Sequence, residues 1–306
     1  MGTFAVHVAL LLGLPPLLAG VINRTKAWCA GRQGPPLLQP YRDLWKLLRK
    51  RAVYSQTTTW IFRAGPIISL AAVLAAGLVL PLVANVSPLG FAGDVVAFAY
   101  LLGLGRFFTM AAALDTGSSF EGMGASREAA FSAFAEPALF LSLAIVCIPA
   151  RSATFGDVFG ALPWTTWGVS HPTYLFAALS LFAVLLAENS RIPVDDPNTH
   201  LELTMVHEVM VLDHSGPDFA FVLYGSAVKL FVLGALLVHV LLPIPADGGW
   251  LGMALLCGGE IALAVAVGVV ESVMARLRLA RVPQFLVGAA VLAATGLAAL
   301  FYRGAP

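Results

Sequence analysis

The chain has 306 residues, of which 59% are hydrophobic and only 11% charged, with 18 basic against 17 acidic side chains. Soluble domains carry charge on about a quarter of their residues. Together with a mean hydropathy of +0.85, this excludes a soluble globule, a disordered chain, a collagen and a disulfide scaffold, and reads as an all-α polytopic membrane protein. The net charge of +1 decides nothing, because in a membrane protein the placement of charge outweighs its sum.

A hydrocarbon core about 30 Å thick needs about 20 apolar residues in a helix. Eight runs meet or approach that length: Phe4–Ile22, Ala64–Ala84, Val95–Leu114, Ala129–Pro149, Pro172–Ala187, Phe219–Leu242, Trp250–Val270 and Pro283–Phe301. They are continuous rather than alternating, which excludes a barrel. The first lacks a basic n-region and reads as a span rather than a cleavable signal. Between the first two runs lie half of all the basic residues: Arg24, Lys26, Arg32, Arg42, Lys46, Arg49, Lys50, Arg51 and Arg63. Threading eight spans puts Arg127, Arg191, Arg276, Arg278 and Arg281 on the same side, and only Arg151 and Arg303 on the other. The positive-inside bias then places both termini outside and the basic loops in the cytoplasm. The chain is a single integral membrane domain, 1–306, with cytoplasmic loops at about 23–63, 115–128, 188–218 and 271–282.

Within the first loop, Gln39–Lys50 is too charged to span. Tyr41, Leu44, Trp45 and Leu48 recur at helical spacing, and Pro40 suits a first helical turn. The segment predicts an amphipathic helix in the membrane interface, serving as a topology anchor or a docking element. No internal repeat is present, which counts against transporters built from inverted halves.

Charges inside spans cost at least about 2.5–3.5 kcal/mol at the centre on insertion scales and are functional candidates by default. Arg106, Glu136, Lys229 and Glu260 qualify, with Glu188 and Glu271 at the ends of the fifth and seventh spans. Pro137 follows Glu136 and frees a carbonyl one turn back. Two readings stand: stations of a proton relay, or structural ion pairs such as Arg106 with Glu136 and Lys229 with Glu260.

Two loops are dense in polar groups. Asp115–Glu128 (DTGSSFEGMGASRE) carries Asp115, Glu121 and Glu128, and its Ser126-Arg127-Glu128 predicts the cap and first turn of the fourth span. It contains no phosphate-loop pattern. Glu188–Asp218 holds Glu188, Asp195, Asp196, Glu202, Glu208, Asp213 and Asp218, with His200, His207 and His214 and a single base, Arg191. Leu201, Met205, Val209 and Leu212 fall at helical spacing, predicting a helix folded back on the bundle with Glu202, His207 and Glu208 toward a polar cavity. His207-Glu208 does not extend to a zinc motif, because position 211 is Val211. Cys29, Cys147 and Cys257 are scattered, so no metal site is expected in this chain. A proton-passing chain of carboxylates and histidines, or a surface for a basic partner, fits the composition.

GRQGPPLLQPYRDLWKLL at 31–48, SSFEGMGASRE at 118–128, AENSRIPVDDPNTHLELTMVHEVMVLDHSG at 187–216 and ARLRLARVP at 275–283 resemble the subunit 1 (H subunit) family of respiratory complex I. The resemblance is closer to its homologues in formate hydrogenlyase and hydrogenase-4-type group 4 nickel–iron hydrogenases. Quinone-reducing relatives usually show a pattern like RxPFDLPExExEL. Here RIPVDDPNTHLEL keeps Arg191, Pro193, Asp195, Pro197, Glu202 and Leu203 but has Asn198 and His200 where acids are common, and Ser226 where that branch often has a glutamate.

The resemblance implies a non-redox membrane subunit without a catalytic centre, in a bacterial or archaeal cytoplasmic membrane. It binds no cofactor itself, and the nickel–iron centre and iron–sulfur clusters belong to partners. The implied partners are hydrogenase large and small (iron–sulfur) subunits, antiporter-like membrane subunits and the lipid bilayer, not nucleic acid. The implied proton path draws on Glu136, Glu188, Asp195 and Glu202, to which the residues add Glu208, Arg106, Lys229 and Glu260. Docking contacts are expected at Arg32, Gln39, Asp43, Lys46, Glu121, Arg191 and His207. The alternatives are a quinone-binding H subunit of a complex I type enzyme or a free-standing secondary transporter.

Overall fold

A computed structural model describes residues 2–161, 172–195, 206–242, 244–245 and 249–302. Among them the chain is helical without strands. It runs α1 (Gly2–Gly13), α2 (Pro15–Cys29), α3 (Gln39–Leu48), α4 (Trp60–Val79), α5 (Asp94–Asp115), α6 (Ser119–Ala150), α7 (Phe155–Gly160), α8 (Pro172–Glu188), α9 (Gly216–Leu241), α10 (Trp250–Val273) and α11 (Val282–Tyr302). Six helices are long and apolar enough to cross a membrane: α4, α5, α6, α9, α10 and α11 with the turn leading into it. Helices α1 and α2 pass as one span bent by 41°, and α8 is a shorter apolar helix. Each of the eight apolar runs therefore has a helical counterpart.

The centre of the bundle is α9, whose most apolar window is 67% buried, against 28% for α10. It packs on α2, α3, α4, α8 and α10, while α6, α8 and α11 form a second group and α4 pairs with α5. Asp115, at the end of α5, caps the start of α4: its carboxylate accepts from the Thr59 amide at 2.7 Å and the Phe62 amide at 3.2 Å. Helix ends leave amides unsatisfied, so this one carboxylate fixes the turn between the two helices.

The bend between α1 and α2 has a local cause. Pro15 and Pro16 carry no amide hydrogen and cannot bond one turn back, and the Leu17 amide turns to the Leu14 carbonyl at 3.0 Å. Two carbonyls released this way accept from tyrosines: Leu12 from the Tyr224 hydroxyl of α9 at 2.8 Å, and Gly13 from the Tyr41 hydroxyl of α3. The broken span thus ties the interfacial helix to the bundle. On α3 no residue is buried, and Trp45 and Leu48 stay exposed, as suits a helix lying in the membrane interface.

Two sequence expectations need correction. The fourth span does not begin at Ser126. Helix α6 starts at Ser119 and runs 32 residues, and the Ser126 hydroxyl turns back to the Met123 carbonyl at 2.9 Å. The glycines that suggested a loop serve packing instead: a Cβ on Gly124 would stand 2.9 Å from Met210 and 3.0 Å from the Val206 carbonyl. The helix expected over Leu201–Leu212 is, where described, a 3₁₀ turn at Val209–Val211; Leu201, Glu202 and Met205 lie outside the described residues, as do Asp196 and His200.

Replacing Tyr41 and Tyr224 together by Phe is expected to lower the stability of the detergent-solubilised protein by about 1–2 kcal/mol, read as an earlier thermal melt. Unchanged melting would show that the freed carbonyls do not depend on these hydroxyls.

Candidate functional site

Helix α8 ends early, at Glu188, because the apolar run before it is short. The chain turns there through capping bonds such as Arg191 amide to Leu186 carbonyl at 2.8 Å. It leaves Ile192, Val194 and Asp195 buried inside the bundle. Irregular backbone at membrane depth is tolerated only when wrapped in protein or lining a cavity, and both conditions hold here.

Glu188 lies between two cations. Its Oε1 is 2.8 Å from an Arg106 nitrogen on α5 and its Oε2 is 2.7 Å from Lys229 Nζ on α9. Arg106 also reaches Glu136 at 3.0 Å and Glu128 at 4.0 Å, both on α6. Arg106, Glu188 and Lys229 are largely withdrawn from solvent, whereas the Glu136 side chain is 49% exposed on the flank of α6. The network therefore runs from the centre of the bundle to its surface. It also decides between the pairings read from sequence: Arg106 does pair with Glu136, but Lys229 pairs with Glu188, not Glu260.

A small cavity of about 40 Å³ touches Arg106, Glu128, Lys229, His207 and Ser226. A larger one of about 320 Å³ opens beside it under α3, lined by Leu44, Phe219, Val222 and Leu223 with Asp43, Arg191, Asp195, Glu208 and His207. Val222, Ser226 and His207 line both. The His207 Nε2 stands 3.5 Å from the Ser226 hydroxyl. Burial, helped by the Lys229 ammonium, pushes the His207 imidazole down to about 4, so it is neutral at pH 7. His214, stacked on Phe62 at 4.1 Å, is likewise lowered by burial, against the opposing pull of Asp218 and Asp213.

The loop is held by its own acids. Asp195 accepts from the Val206 and His207 amides at 3.0 and 3.3 Å and binds Arg276 at 2.6 Å. Glu121 accepts from the Asp213 amide at 3.2 Å. Glu271 is bracketed by Lys26 at 2.8 Å and Arg191 at 3.3 Å. This corrects part of the docking set: Glu121 is 1% exposed, Arg191 is committed to Glu271, and His207 lines interior cavities. Arg32 and Lys46 are exposed; Gln39 and Asp43 are partly buried, Gln39 donating to Asp43 at 2.8 Å. Asp195 works as a loop clamp, Glu208 lines the larger cavity, Glu202 lies outside the described residues, and Glu260 is not joined to the network. The sequence reading left Glu128 out of the site; its placement about two helical turns before Glu136 was the available signal. Among the described residues no three of His, Cys, Asp and Glu converge as metal ligands would.

The family model described as NADH dehydrogenase matches residues 2–302. Formate hydrogenlyase subunit 4 of Escherichia coli K12 is 31% identical, covering 91% of this chain and 92% of that one. Hydrogenase-4 component C of the same organism is 34% identical over 78% of this chain and 74% of its own. The H subunit of the NADH-quinone oxidoreductase of Anaplasma phagocytophilum is 27% identical over 78% and 76%. In three dimensions the chain is similar to one from the membrane-bound sulfane sulfur reductase, an archaeal respiratory membrane complex, with a TM-score of 0.83, 22% identity and coverage of 97% and 98%; this likeness concerns the fold.

Two outcomes follow. R106A removes the cation shared by Glu188, Glu136 and Glu128 and is expected to cost about 3–5 kcal/mol, as for a buried pair with one partner removed, measured by thermal unfolding in detergent. For His207 the folded value of about 4 lies below the unfolded one of about 6.5. The unfolded chain therefore binds the extra proton, and stability falls as pH drops from about 6.5 toward 4, by on the order of 3 kcal/mol. Melting temperatures across that range should fall less steeply in H207Q.

Proposed function

The chain belongs to the NADH dehydrogenase family, and on that premise we propose that it is the membrane-anchor and proton-path subunit of an energy-converting hydrogenase of the formate hydrogenlyase type. The observation that carries this reading is the Arg106 network. It joins a buried carboxylate, Glu188, to a half-exposed one, Glu136, at the flank of α6. On one side it meets two adjoining cavities through His207 and Ser226; on the other it ends where a neighbouring membrane subunit would lie. The similarity to formate hydrogenlyase subunit 4 over nearly the whole length supports the choice of complex.

In this reading the peripheral partner carries the nickel–iron and iron–sulfur centres and docks on the loop-rich end, against α3 and the Glu188–Asp218 segment, on the cytoplasmic side. Antiporter-like subunits meet the Glu136 flank. The chain's own residues hold and move protons. Two cations face Glu188, and any displacement of Arg106 or Lys229 leaves its carboxyl uncompensated in a medium of low dielectric, where it takes a proton. Glu128 and Glu136 share Arg106 and are the next acceptors. Neutral His207, beside Ser226, stands where protons enter from the larger cavity.

Isolated complexes containing E188Q or E136Q should assemble and turn over hydrogen while proton translocation into vesicles falls severalfold. Normal translocation in both variants would end the path assignment. Loss of the hydrogenase subunits from the wild-type complex on purification would end the anchor assignment.

The larger cavity favours a second reading, a quinone-binding H subunit. Its mostly apolar wall, with His207 and Asp43 at the margin, suits an amphipathic ring. Quinone recovered from the purified complex, and lost on replacing Val222 by Trp, would support it. Ser226 standing where the quinone-reducing branch often has a glutamate favours the first.

A further inference from the structure

Glu188, Glu271 and Glu260 are three of the acids buried in the helices, and the first two are bracketed by cations. Glu188 faces Arg106 and Lys229, and Glu271 faces Lys26 and Arg191. The third, Glu260, near the middle of α10, is 1% exposed. Among the described residues no hydrogen bond or ion pair reaches it, and its Oε1 is a buried oxygen without a partner. Its carboxyl is pressed onto the backbone of α9 at Gly234, where an added Cβ would lie 2.7 Å from Oε2; a glycine there makes the seat. At its tip is a void of about 10 Å³, otherwise lined by Leu18, Leu230, Leu263, Ala264 and Val267, about the room of one water.

Among the described residues no opposing charge faces this seat from the helices packed on α10. At this level α2 presents Leu18, and α9 presents Leu230 and Gly234. Lys229, beside Leu230 in sequence, is engaged by Glu188. Cys257 stands one turn before it on α10. An ionised carboxylate left unpaired in an apolar interior is so costly that the group neutralises instead.

We propose that Glu260 is a second proton-binding site of the membrane interior, separate from the Arg106 network. It carries its proton in the resting protein, exchanges it through the one-water void, and is a covalent modification site for apolar carbodiimides. The chemistry balances without a further reactant. The carboxyl proton moves to one carbodiimide nitrogen as the carboxylate oxygen adds to the central carbon. A carbon–nitrogen π bond is replaced by a carbon–oxygen bond, and acyl migration to nitrogen leaves a stable acylurea. Only a carboxyl that holds a proton away from water follows this course, and Glu188 and Glu271, each bonded to two cations, are not free to follow it.

The test treats native membranes with dicyclohexylcarbodiimide and maps the adduct by peptide mass spectrometry. The expected result is modification at Glu260 and not at Glu188 or Glu271, absent with a water-soluble carbodiimide, lost in E260Q and changed in rate in Gly234→Ala, whose methyl displaces the carboxyl. Infrared spectra should show a protonated-carboxyl band that shifts in heavy water and is missing in E260Q. No modification at Glu260, or equal modification at Glu188 and Glu271, overturns the proposal. Should E260Q fail to accumulate, the pattern in the unsubstituted protein decides alone. The inference does not rest on the hydrogenase reading: normal coupling in E188Q would end that reading and leave the labelling result standing.

Discussion

The guanidinium of Arg106 stands among three carboxyls, from α6 and α8, and one of these, Glu188, also binds Lys229 of α9. Charges in a medium of low dielectric must be matched at close range or give up their ionisation, so this contact constrains four helices at once. It requires α8 to stop short enough that Glu188 reaches the level of Lys229, and it requires the loop after α8 to descend into the bundle. The loop then needs its own supports, which come from Asp195 with Arg276 and from Glu121 with the Asp213 amide. The cavities lie where this irregular segment cannot pack as closely as helices do. Site and fold are thus one arrangement: the charge cluster sets the depth of the loop, and the depth of the loop makes the cavities.

The interfacial helix is coupled to the same arrangement by a different device. Two consecutive prolines deprive the first span of the amides that would satisfy its carbonyls, and tyrosines from α3 and α9 supply the donors. Because α3 also walls the larger cavity through Leu44 and Asp43, any displacement of α3 bears on that cavity and on α9. Lys229 lies on the same helix, about one and a half turns beyond Tyr224. The interfacial helix and the helix that carries Lys229 are therefore connected through two tyrosine hydroxyls and the bend of the first span.

Much of this was legible in the residues. Continuous apolar runs marked eight helical segments, the spacing of Tyr41, Leu44, Trp45 and Leu48 marked α3, and charged residues inside apolar runs marked Arg106, Glu136, Lys229 and Glu260. Hydropathy failed at Ser119–Glu128, where glycine and hydroxyl residues imitate a loop yet form the first turns of α6. Their small size there serves contact with the 3₁₀ turn, a tertiary requirement that composition does not separate from flexibility. One member of the docking set, Glu121, lies inside for a related reason. An acid in a loop looks solvent-facing in one dimension, and Glu121 is buried because a backbone amide 92 residues away in sequence needs an acceptor.

The loop motifs carried the resemblance to the family, and the sequence by itself determined the class of protein, the number of apolar segments and which residues carry charge where charge is costly. Those follow from transfer free energies, which sum along a chain without reference to neighbours. Only the tertiary structure decided how the charges are matched. It gave Lys229 to Glu188 and left Glu260 alone, although Lys229 and Glu260 had looked like partners. Coulombic pairing depends on separations of a few ångströms, and these are set by helix rotation, by the depth at which α8 ends and by a glycine that lets a carboxyl lie against a backbone. None of these is a property of any single run of residues.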